Sequence, residues 1–304
     1  MEHTVIHKSI AIAALARNCE KNLPRNIKRI EELRQHFATS FVFVYENNST
    51  DCTKEILNHW CMESTNVHIK SENLDLFLIN HSPQKNIYKG VGIDRMKRMS
   101  ECRNHLLCMI KTACTPDYVM FIDSDILSFS VEGIIRAIDK APSNWGALFA
   151  NCYMTSTYNQ HNKMIPVYYD TFPYIPLNQN LQTIRPFDIS LIRRYFVSIR
   201  LFKHVQEKEF LQCASAFGGI GIYRFNCIKD LQYQIIRPQR WKNQKMALCE
   251  HISMNMAIAV PKYISRDIKV CYADFPCHGI KGWILRHFPT IYVMIGLLHD
   301  IFRK

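Results

Sequence analysis

Three short apolar segments without hydrophobic alternation constrain the fold of this chain most strongly. They are residues 9–15 (SIAIAAL), 41–45 (FVFVY) and 118–122 (YVMFI). A strand that buries one face alternates apolar and polar residues, whereas a strand covered on both faces is apolar throughout. The three segments therefore predict buried strands in a sheet with layers packed on both sides.

Helical patterns separate these strands. Pro24 lies near the first position of the first predicted helix, and further helices are predicted at residues 52–61, 94–112 and 131–141, before a strand at 145–150. Strands that alternate with helices favour parallel pairing, because the helix carries the chain back across the sheet. The sequence predicts an α/β fold with a Rossmann-like, mostly parallel sheet flanked by helices.

The composition of the chain limits the classes of function that it can have. The chain has 304 residues, of which 48% are hydrophobic, and a formal net charge of +12. This size and composition are typical of a globular protein with a sizeable core, and the charge favours anionic partners such as nucleotides. The basic residues are dispersed rather than clustered, so we expect no nucleic-acid platform.

Cysteine usage and the N-terminus predict a location. The twelve cysteines are scattered and form no Cys-x-x-Cys pair, so reduced thiols are expected. Residues 1–18 are poor material for a signal peptide. Two glycosylation sequons begin at Asn47 and Asn48, where a glycan would block the nucleotide pocket predicted below. We therefore expect a cytoplasmic protein, one that can also lie peripherally on the cytosolic face of a membrane.

The third apolar strand ends in two carboxylates one residue apart, Asp123 and Asp125. Ligands bind open α/β sheets at the carboxyl ends of the strands. Paired carboxylates at that edge suit a hard divalent cation that also holds phosphate oxygens. The alternative is an ordinary turn, because Asp and Ser are common turn residues.

Two further polar regions are predicted at the same edge. Glu46 begins a polar turn over residues 46–51, which either exposes backbone N–H groups to a ligand or only caps the following helix. Arg98 and Arg103 lie on the helix that precedes the third apolar strand, where they either hold a diphosphate or keep an exposed face soluble.

The second half of the chain contains acceptor-side candidates. Residues 151–186 are rich in Tyr, Asn and Pro without periodicity, which favours a binding loop. Residues 215–223 (SAFGGIGIY) carry three glycines, which indicates a close approach to the backbone. Glu250 begins a predicted helix, either as a functional carboxylate or as a complement to the helix dipole.

The segments YENNSTD, RMSECRN, FIDSD and FGG, in this order, resemble the GT-A class of nucleotide-sugar glycosyltransferases. They are most similar to the fungal capsule-associated and α-1,3-mannosyltransferase family, and the resemblance covers roughly residues 9–283. It implies a single GT-A domain over residues 1–283, with a nucleotide-binding half of about 1–126 and an acceptor-side half of about 127–283. Residues 284–304 would form a C-terminal amphipathic tail.

The resemblance also implies a metal site. Asp125 would bind the metal, and Asp123 would contact metal-bound water, the ribose or the donor sugar. His278 would complete the site, by similarity to a closing motif of some retaining GT-A enzymes. Gly282 stands where that motif has proline, and the spacing is compressed, so the similarity of the closing tail is partial.

Further residues are assigned roles by the same resemblance. Arg98, Arg103 and Lys281 would hold the diphosphate, and Glu46 with its neighbour Asn48 would face the nucleoside. Glu250 would act on the acceptor or hold sugar hydroxyls, with Asp123 as the second catalytic residue. The stereochemical outcome, retaining or inverting, stays open.

The expected function is a metal-dependent glycosyltransferase. With Mn²⁺ or Mg²⁺, it would move a hexose such as mannose from a GDP- or UDP-sugar to a glycan or another hydroxyl acceptor. A nucleotidyltransferase acting on sugar phosphates and a non-catalytic carbohydrate-binding protein are the alternatives. The apolar stretch after residue 283 is predicted either to pack on the domain or to contact a membrane peripherally, and it is too short to span one.

Overall fold

The computed structural model of the protein describes residues 6–73, 92–158, 161–165, 167–184, 191–238 and 246–275. The strands are β1 (Ile6–Ala16), β2 (Phe37–Asn47), β3 (Val67–Glu72), β4 (Tyr118–Asp123), β5 (Ser128–Phe129), β6 (Ala147–Tyr158), β7 (His161–Ile165), β8 (Phe210–Cys213), β9 (Ile220–Arg224) and β10 (Lys262–Phe275). The helices are α1 (Leu23–Arg34), α2 (Thr53–Glu63), α3 (Ile93–Ala113), α4 (Val131–Lys140), α5 (Leu191–Glu207), α6 (Phe225–Ile228) and α7 (Glu250–Ala257), with a 3₁₀ turn at Leu181–Thr183.

All the strands belong to one sheet. Its order is β3-β2-β1-β4-β9-β6-β10-β5, with β7 paired to β6 and β8 paired to β10. Strands β3, β2, β1 and β4 run parallel to one another, and β6 runs parallel to β10. Strand β9 is antiparallel to both β4 and β6 and joins these two parallel groups.

The centre of the sheet is buried on both faces, as the uniformly apolar strands require. In β1, residues 10–13 have no exposed surface, and in β4 Met120 and Phe121 have none. Removal of such side chains from water stabilises the folded state by about 1.5–3 kcal/mol for each large residue. Strand β4 therefore lies rigidly in the core and presents its last residue, Asp123, at the carboxyl edge.

Most of the predicted elements of the first half are confirmed. Helices α1 to α4 lie within a few residues of their predicted bounds, and β1, β2 and β4 contain the three apolar segments. The predicted α/β class, with a helix-flanked sheet, is confirmed. Strands β4 and β6 run in the same direction, as predicted, but β9 lies between them in the opposite direction.

The described residues contain no disulfide, and the eleven cysteines among them are free thiols, as expected. Within the same residues, no helix has the length and apolarity needed to cross a bilayer. The predicted closing tail, including residues 284–304, lies outside the described residues. One sheet runs through both predicted halves, and their division into nucleotide and acceptor sides stays a prediction.

Candidate active site

A cavity of about 450 Å³ opens at the carboxyl ends of β1 and β4. Its charged lining residues are Arg17, Arg95, Arg98, Arg103, Asp123, Asp125, Asp170 and Glu250. Four cationic and four anionic side chains thus face one space. Such a density of charge is costly in a partly buried cavity unless the charges bind ligands or each other.

Asp123 is the last residue of β4 and lines the cavity. Its backbone N–H donates to the carbonyl of Gly219 at 2.9 Å, so β9 fixes the end of β4. Its carboxylate accepts hydrogen bonds from Tyr272 Oη at 2.7 Å and from Arg103 Nη2 at 3.4 Å. Burial raises the pKa of Asp123 to about 6; Arg103 opposes this rise, and the charge of Asp125 adds to it.

Helix α1 holds the segment that contains Asp125. Asn22 Nδ2 donates to the carbonyl oxygen of Asp125 at 2.8 Å, and Asn26 Nδ2 donates to those of Ser124 and Ile126 at 3.1 and 2.9 Å. These bonds satisfy backbone oxygens that the end of β4 leaves unpaired. The Asp125 side chain is exposed at the cavity rim. The segment is therefore a turn, as the alternative interpretation had it, and it presents two carboxylates to the cavity.

Arg103 forms a buried bridge between α7 and β4. Its Nε donates to Glu250 Oε1 at 3.1 Å, and the two side chains are only 3% and 4% exposed. The guanidinium also lies over the rings of Phe217 and Tyr233, at 5.2 and 5.9 Å from their centroids. The sequence prediction placed both Arg103 and Glu250 at the site, and the structure brings them into direct contact.

The charge of Glu250 is strongly stabilised. Burial alone would raise the pKa of Glu250, but the positive charge of Arg103 and hydrogen bonds to the carboxylate hold it below its ordinary value. Burial and the charge of Arg103 hold the pKa of His251 well below its ordinary value, so the imidazole is neutral. Arg103 therefore carries the positive charge beside Glu250. A carboxylate with so low a proton affinity is a weak base. The Arg103–Glu250 pair is therefore better suited to holding a ligand than to moving a proton.

His251 fills the floor of the cavity beside this pair. Its ring stacks on Phe217 with centroids 3.7 Å apart and meets Tyr233 edge-on at 5.7 Å. Neither ring nitrogen has a hydrogen-bond partner among the described residues. The stack packs α7 against the glycine-bearing turn before β9, and so orients the first turn of α7 and Glu250.

The glycines of that turn permit a close approach. Gly218 and Gly219 have φ of +69° and +84°, a region that L side chains rarely adopt. A Cβ on Gly218 would lie 2.6 Å from the carbonyl oxygen of Ala150 and 2.9 Å from Tyr168 Oη. The backbone at Gly218 is therefore approached closely, as expected, but by strand β6 and the segment after β7 and not by an open ligand site.

The remaining predicted arginine, Arg98, lines the cavity from α3 together with Arg95. Arg17, which the sequence analysis did not select, lies beside them at the end of β1. Arg17 directly follows β1, and α3 packs against β1 and β2, so these three cations lie on the β1 side of the Asp123–Asp125 corner. Their predicted contact with a diphosphate stays a prediction.

Glu46 and Asn48 are not among the lining residues of the cavity. Glu46 is fully buried and accepts hydrogen bonds from Ser49 N at 2.8 Å and from Ser71 Oγ. Asn48 has a left-handed backbone with φ of 54°, and its neighbour Asn47 lines the cavity instead. The Glu46 carboxylate thus links the turn that follows β2 to Ser71 in β3. Its predicted contact with a nucleoside stays a prediction.

His278 and Lys281 lie outside the described residues. Among the residues that are described, no three His, Cys, Asp or Glu side chains are grouped so that they could hold a metal ion by themselves. Asp123 and Asp125 nevertheless supply hard oxygen ligands at one cavity. Mg²⁺ and similar ions are commonly bound by one or two carboxylates together with water and substrate phosphates, so this donor set fits such an ion.

Two residues of the site were missed. Asp170 lies within residues 151–186, which were predicted as a binding loop, but the segment lacks a periodicity that would have singled it out. Tyr272 lies on β10, for which no strand was predicted, because charged residues interrupt the apolar pattern of residues 262–275. Its hydroxyl holds Asp123 across 149 positions of sequence.

The family model described as cryptococcal mannosyltransferase 1 matches residues 9–254. No curated protein sequence matches the chain. Among solved structures, the chain is similar to S. aureus TarS, with 15% identity and a TM-score of 0.43 over 88% of this chain and 60% of that one.

A second similar structure is the mannosyltransferase PcManGT from Pyrobaculum calidifontis in complex with GDP-Man and Mn²⁺. It has 13% identity and a TM-score of 0.46, over 92% of this chain and 61% of that one. The chain thus spans about three fifths of the length of these structures. The family model, by contrast, covers well over half of the chain, from β1 into α7. The protein therefore belongs to the cryptococcal mannosyltransferase 1 family, a family of glycosyltransferases.

Proposed function

We propose that the protein transfers a hexose from a nucleotide-diphosphate sugar to a hydroxyl group of a glycan, with the help of a divalent cation. One observation carries the proposal: the Asp123–Asp125 corner and the arginines Arg17, Arg95 and Arg98 face the same cavity. Cleavage of a sugar–phosphate bond leaves a diphosphate on which negative charge grows. A cavity that offers fixed cations and cation-binding carboxylates lowers the energy of that charge.

Asp123 and Asp125 would hold the cation, as Mn²⁺ or Mg²⁺. When bound, such an ion neutralises charge on the departing diphosphate. Arg98 and its neighbours would bind the phosphate oxygens, because a guanidinium can donate two parallel hydrogen bonds to them. Arg103, held by Glu250, keeps a fixed positive charge beside Asp123 and needs no rearrangement when charge develops.

Mannose is the hexose that the family favours, and GDP-mannose is therefore the first donor to test. The cavity of about 450 Å³ lies within the range of small-molecule sites. We also propose a cytoplasmic location and a peripheral membrane contact through the tail. The proposed transfer reaction depends on neither.

A donor panel tests this function. The purified chain would be incubated with GDP- and UDP-hexoses, with Mn²⁺ or with chelator, and released nucleoside diphosphate would be quantified. We expect release from one donor class, dependent on the metal. Pyrophosphate release from a nucleoside triphosphate and a sugar phosphate would indicate a nucleotidyltransferase instead, and sugar binding without turnover would indicate a binding protein.

A further inference from the structure

One wall of the cavity carries a carboxylate among aromatic rings. Asp170, Phe172 and Tyr272 line the cavity on this side. Tyr169 is 43% exposed, and its ring lies against that of Tyr272 with centroids 4.4 Å apart.

Asp170 has hydrogen-bonding capacity to spare. Its Oδ2 accepts the backbone N–H of Gly218 at 3.3 Å, and the backbone N–H of Phe172 also points to the carboxylate. Within the described part of the chain it forms no ion pair, in contrast to Glu250, which is paired with Arg103. The ionised form of the carboxylate, which prevails above about pH 7, has about four acceptor sites, so two backbone donors leave about half of them available to a ligand.

The sheet order separates this wall from the arginines. Arg17 directly follows β1, on one side of β4, whereas Tyr272 lies on β10, on the far side of β9 and β6. The segment with Asp170 is also fixed on that far side, because Tyr169 N donates to the carbonyl of Cys152 in β6 at 3.1 Å. The Asp123–Asp125 corner lies between the two groups. A donor whose diphosphate meets the arginines and that corner leaves this wall for a second substrate.

Carboxylates and aromatic rings together recognise sugars. The ring faces pack against the apolar C–H faces of a pyranose, and the carboxylate accepts hydrogen bonds from its hydroxyl groups. We infer that Tyr169, Asp170, Phe172 and Tyr272 form the subsite for the acceptor sugar, with Asp170 as its hydroxyl-binding residue. This inference rests on the proposed function and adds to it which residues bind the acceptor glycan and that one of its free hydroxyl groups reaches Asp170.

The subsite also has a predicted selectivity. A site built to bind a hydroxyl group discriminates strongly against the analogue that lacks it, because a buried polar group is then left unpaired. Acceptors that lack the hydroxyl held by Asp170 should therefore bind much more weakly than the parent sugar. A phosphorylated acceptor should be rejected, since its charge would meet that of Asp170.

Two variants and one control test the subsite. Asp170→Asn keeps the size of the side chain but replaces an anionic acceptor by a neutral group, and Tyr169→Ala removes one ring. Leu177→Ala is the control, since Leu177 is 49% exposed in the same segment but is not one of the four proposed subsite residues. Circular dichroism and melting curves would establish that each variant is folded.

The probes are methyl hexopyranosides, titrated by NMR into protein saturated with Mn²⁺ and the nucleoside diphosphate of the active donor. We expect Asp170→Asn to weaken binding of the best pyranoside by about tenfold or more, in line with the loss of a hydrogen bond to a charged group. Tyr169→Ala should weaken it as well, and Leu177→Ala should not. The affinities for nucleoside diphosphate and for Mn²⁺ should stay within about twofold in all three, because no charged contact to them is removed.

Three results would overturn the inference. If the wild-type protein binds no methyl hexopyranoside, the wall is not a sugar subsite. If Asp170→Asn leaves pyranoside binding unchanged, Asp170 only stabilises the turn at Gly218. If it lowers Mn²⁺ or nucleotide affinity instead, Asp170 belongs to the donor side. Failure of the wild-type protein to bind nucleotide or hydrolyse any donor would count against the proposed function itself, so the two failures are distinguishable.

Discussion

Arg103 Nε donates to Glu250 Oε1 at 3.1 Å, and this contact joins the middle of α3 to the first turn of α7 beneath the cavity. The same guanidinium reaches Asp123 at 3.4 Å. The pair is separated by 147 positions in sequence, so its formation depends on the whole sheet having assembled. We therefore regard Glu250 as the residue that positions Arg103.

Replacement of Glu250 by Gln should destabilise the protein strongly. Removal of one partner from a buried ion pair leaves the other charge uncompensated, which costs about 3–5 kcal/mol. The matched control is Glu132→Gln, because Glu132 also lies in the first turn of a helix but is exposed. Denaturant unfolding should show a loss of no more than about 1 kcal/mol for the control. Equal small losses in both variants would mean that Glu250 only complements the helix dipole.

Replacement of Arg98 by Lys should weaken the binding of a nucleoside diphosphate. Lysine keeps the charge but cannot donate two parallel hydrogen bonds, so a loss of affinity of about tenfold is expected. Lys97→Ala serves as the control, since Lys97 is exposed on the same helix and does not line the cavity. Calorimetric titration measures both. If Arg98→Lys binds as tightly as the parent protein, Arg98 is not a diphosphate ligand.

Replacement of Gly218 by Ala should lower stability by more than about 1 kcal/mol, because an L residue is strained at its positive φ. The added Cβ would also lie 2.6 Å from the carbonyl oxygen of Ala150. The turn orients Phe217 under His251, so sugar transfer should fall together with stability. A variant that melts at the parental temperature would show that the turn relaxes at little cost.

Stability should depend on pH through Asp123 and Asp170. Burial raises the pKa of Asp123 to about 6 and that of Asp170 to about 7, in each case from 3.8. Between pH 4 and 7 the folded state therefore binds more protons than the unfolded state, and the free energy of unfolding falls as the pH rises. The lowered pKa of Glu250 acts only below about pH 4.5.

Melting curves in chelator test this relationship. The melting temperature of Asp170→Asn relative to wild type should increase from pH 4.5 to pH 8, since the variant lacks one of the carboxyl groups that is costly to ionise. A difference that stays constant across this range would mean that Asp170 titrates at its ordinary pKa in the folded protein.

Local sequence patterns predicted the elements near the N-terminal half of the site. The apolar run of β4 must be buried, so its first polar residue, Asp123, has to emerge at the sheet edge. The helical pattern before β4 likewise placed Arg98 and Arg103 on α3. These inferences succeed because neighbouring elements in sequence are also neighbours in space.

Residues that depend on long-range pairing could not be predicted in this way. Strand β9 inserts between β4 and β6 although it follows both in sequence, so no local pattern reveals its direction. Tyr272 meets Asp123 only because β10 pairs with β6. Asp170 lies in an irregular segment whose position is fixed by hydrogen bonds to Cys152 and Gly218, both distant in sequence.

Asp125 provides the most direct test of metal-assisted donor binding. Asp125→Asn keeps the size of an exposed side chain, so the fold should persist, but it removes a charge that a cation requires. Asp139→Asn, an exposed substitution on α4 away from the cavity, is the control. The measurement is the affinity for GDP and UDP with Mn²⁺ and with chelator. We predict tight, Mn²⁺-dependent binding in the wild type and in Asp139→Asn, and loss of the Mn²⁺ dependence in Asp125→Asn. Binding that is equally tight in chelator, or that Asp125→Asn leaves unchanged, would contradict a metal site at this corner.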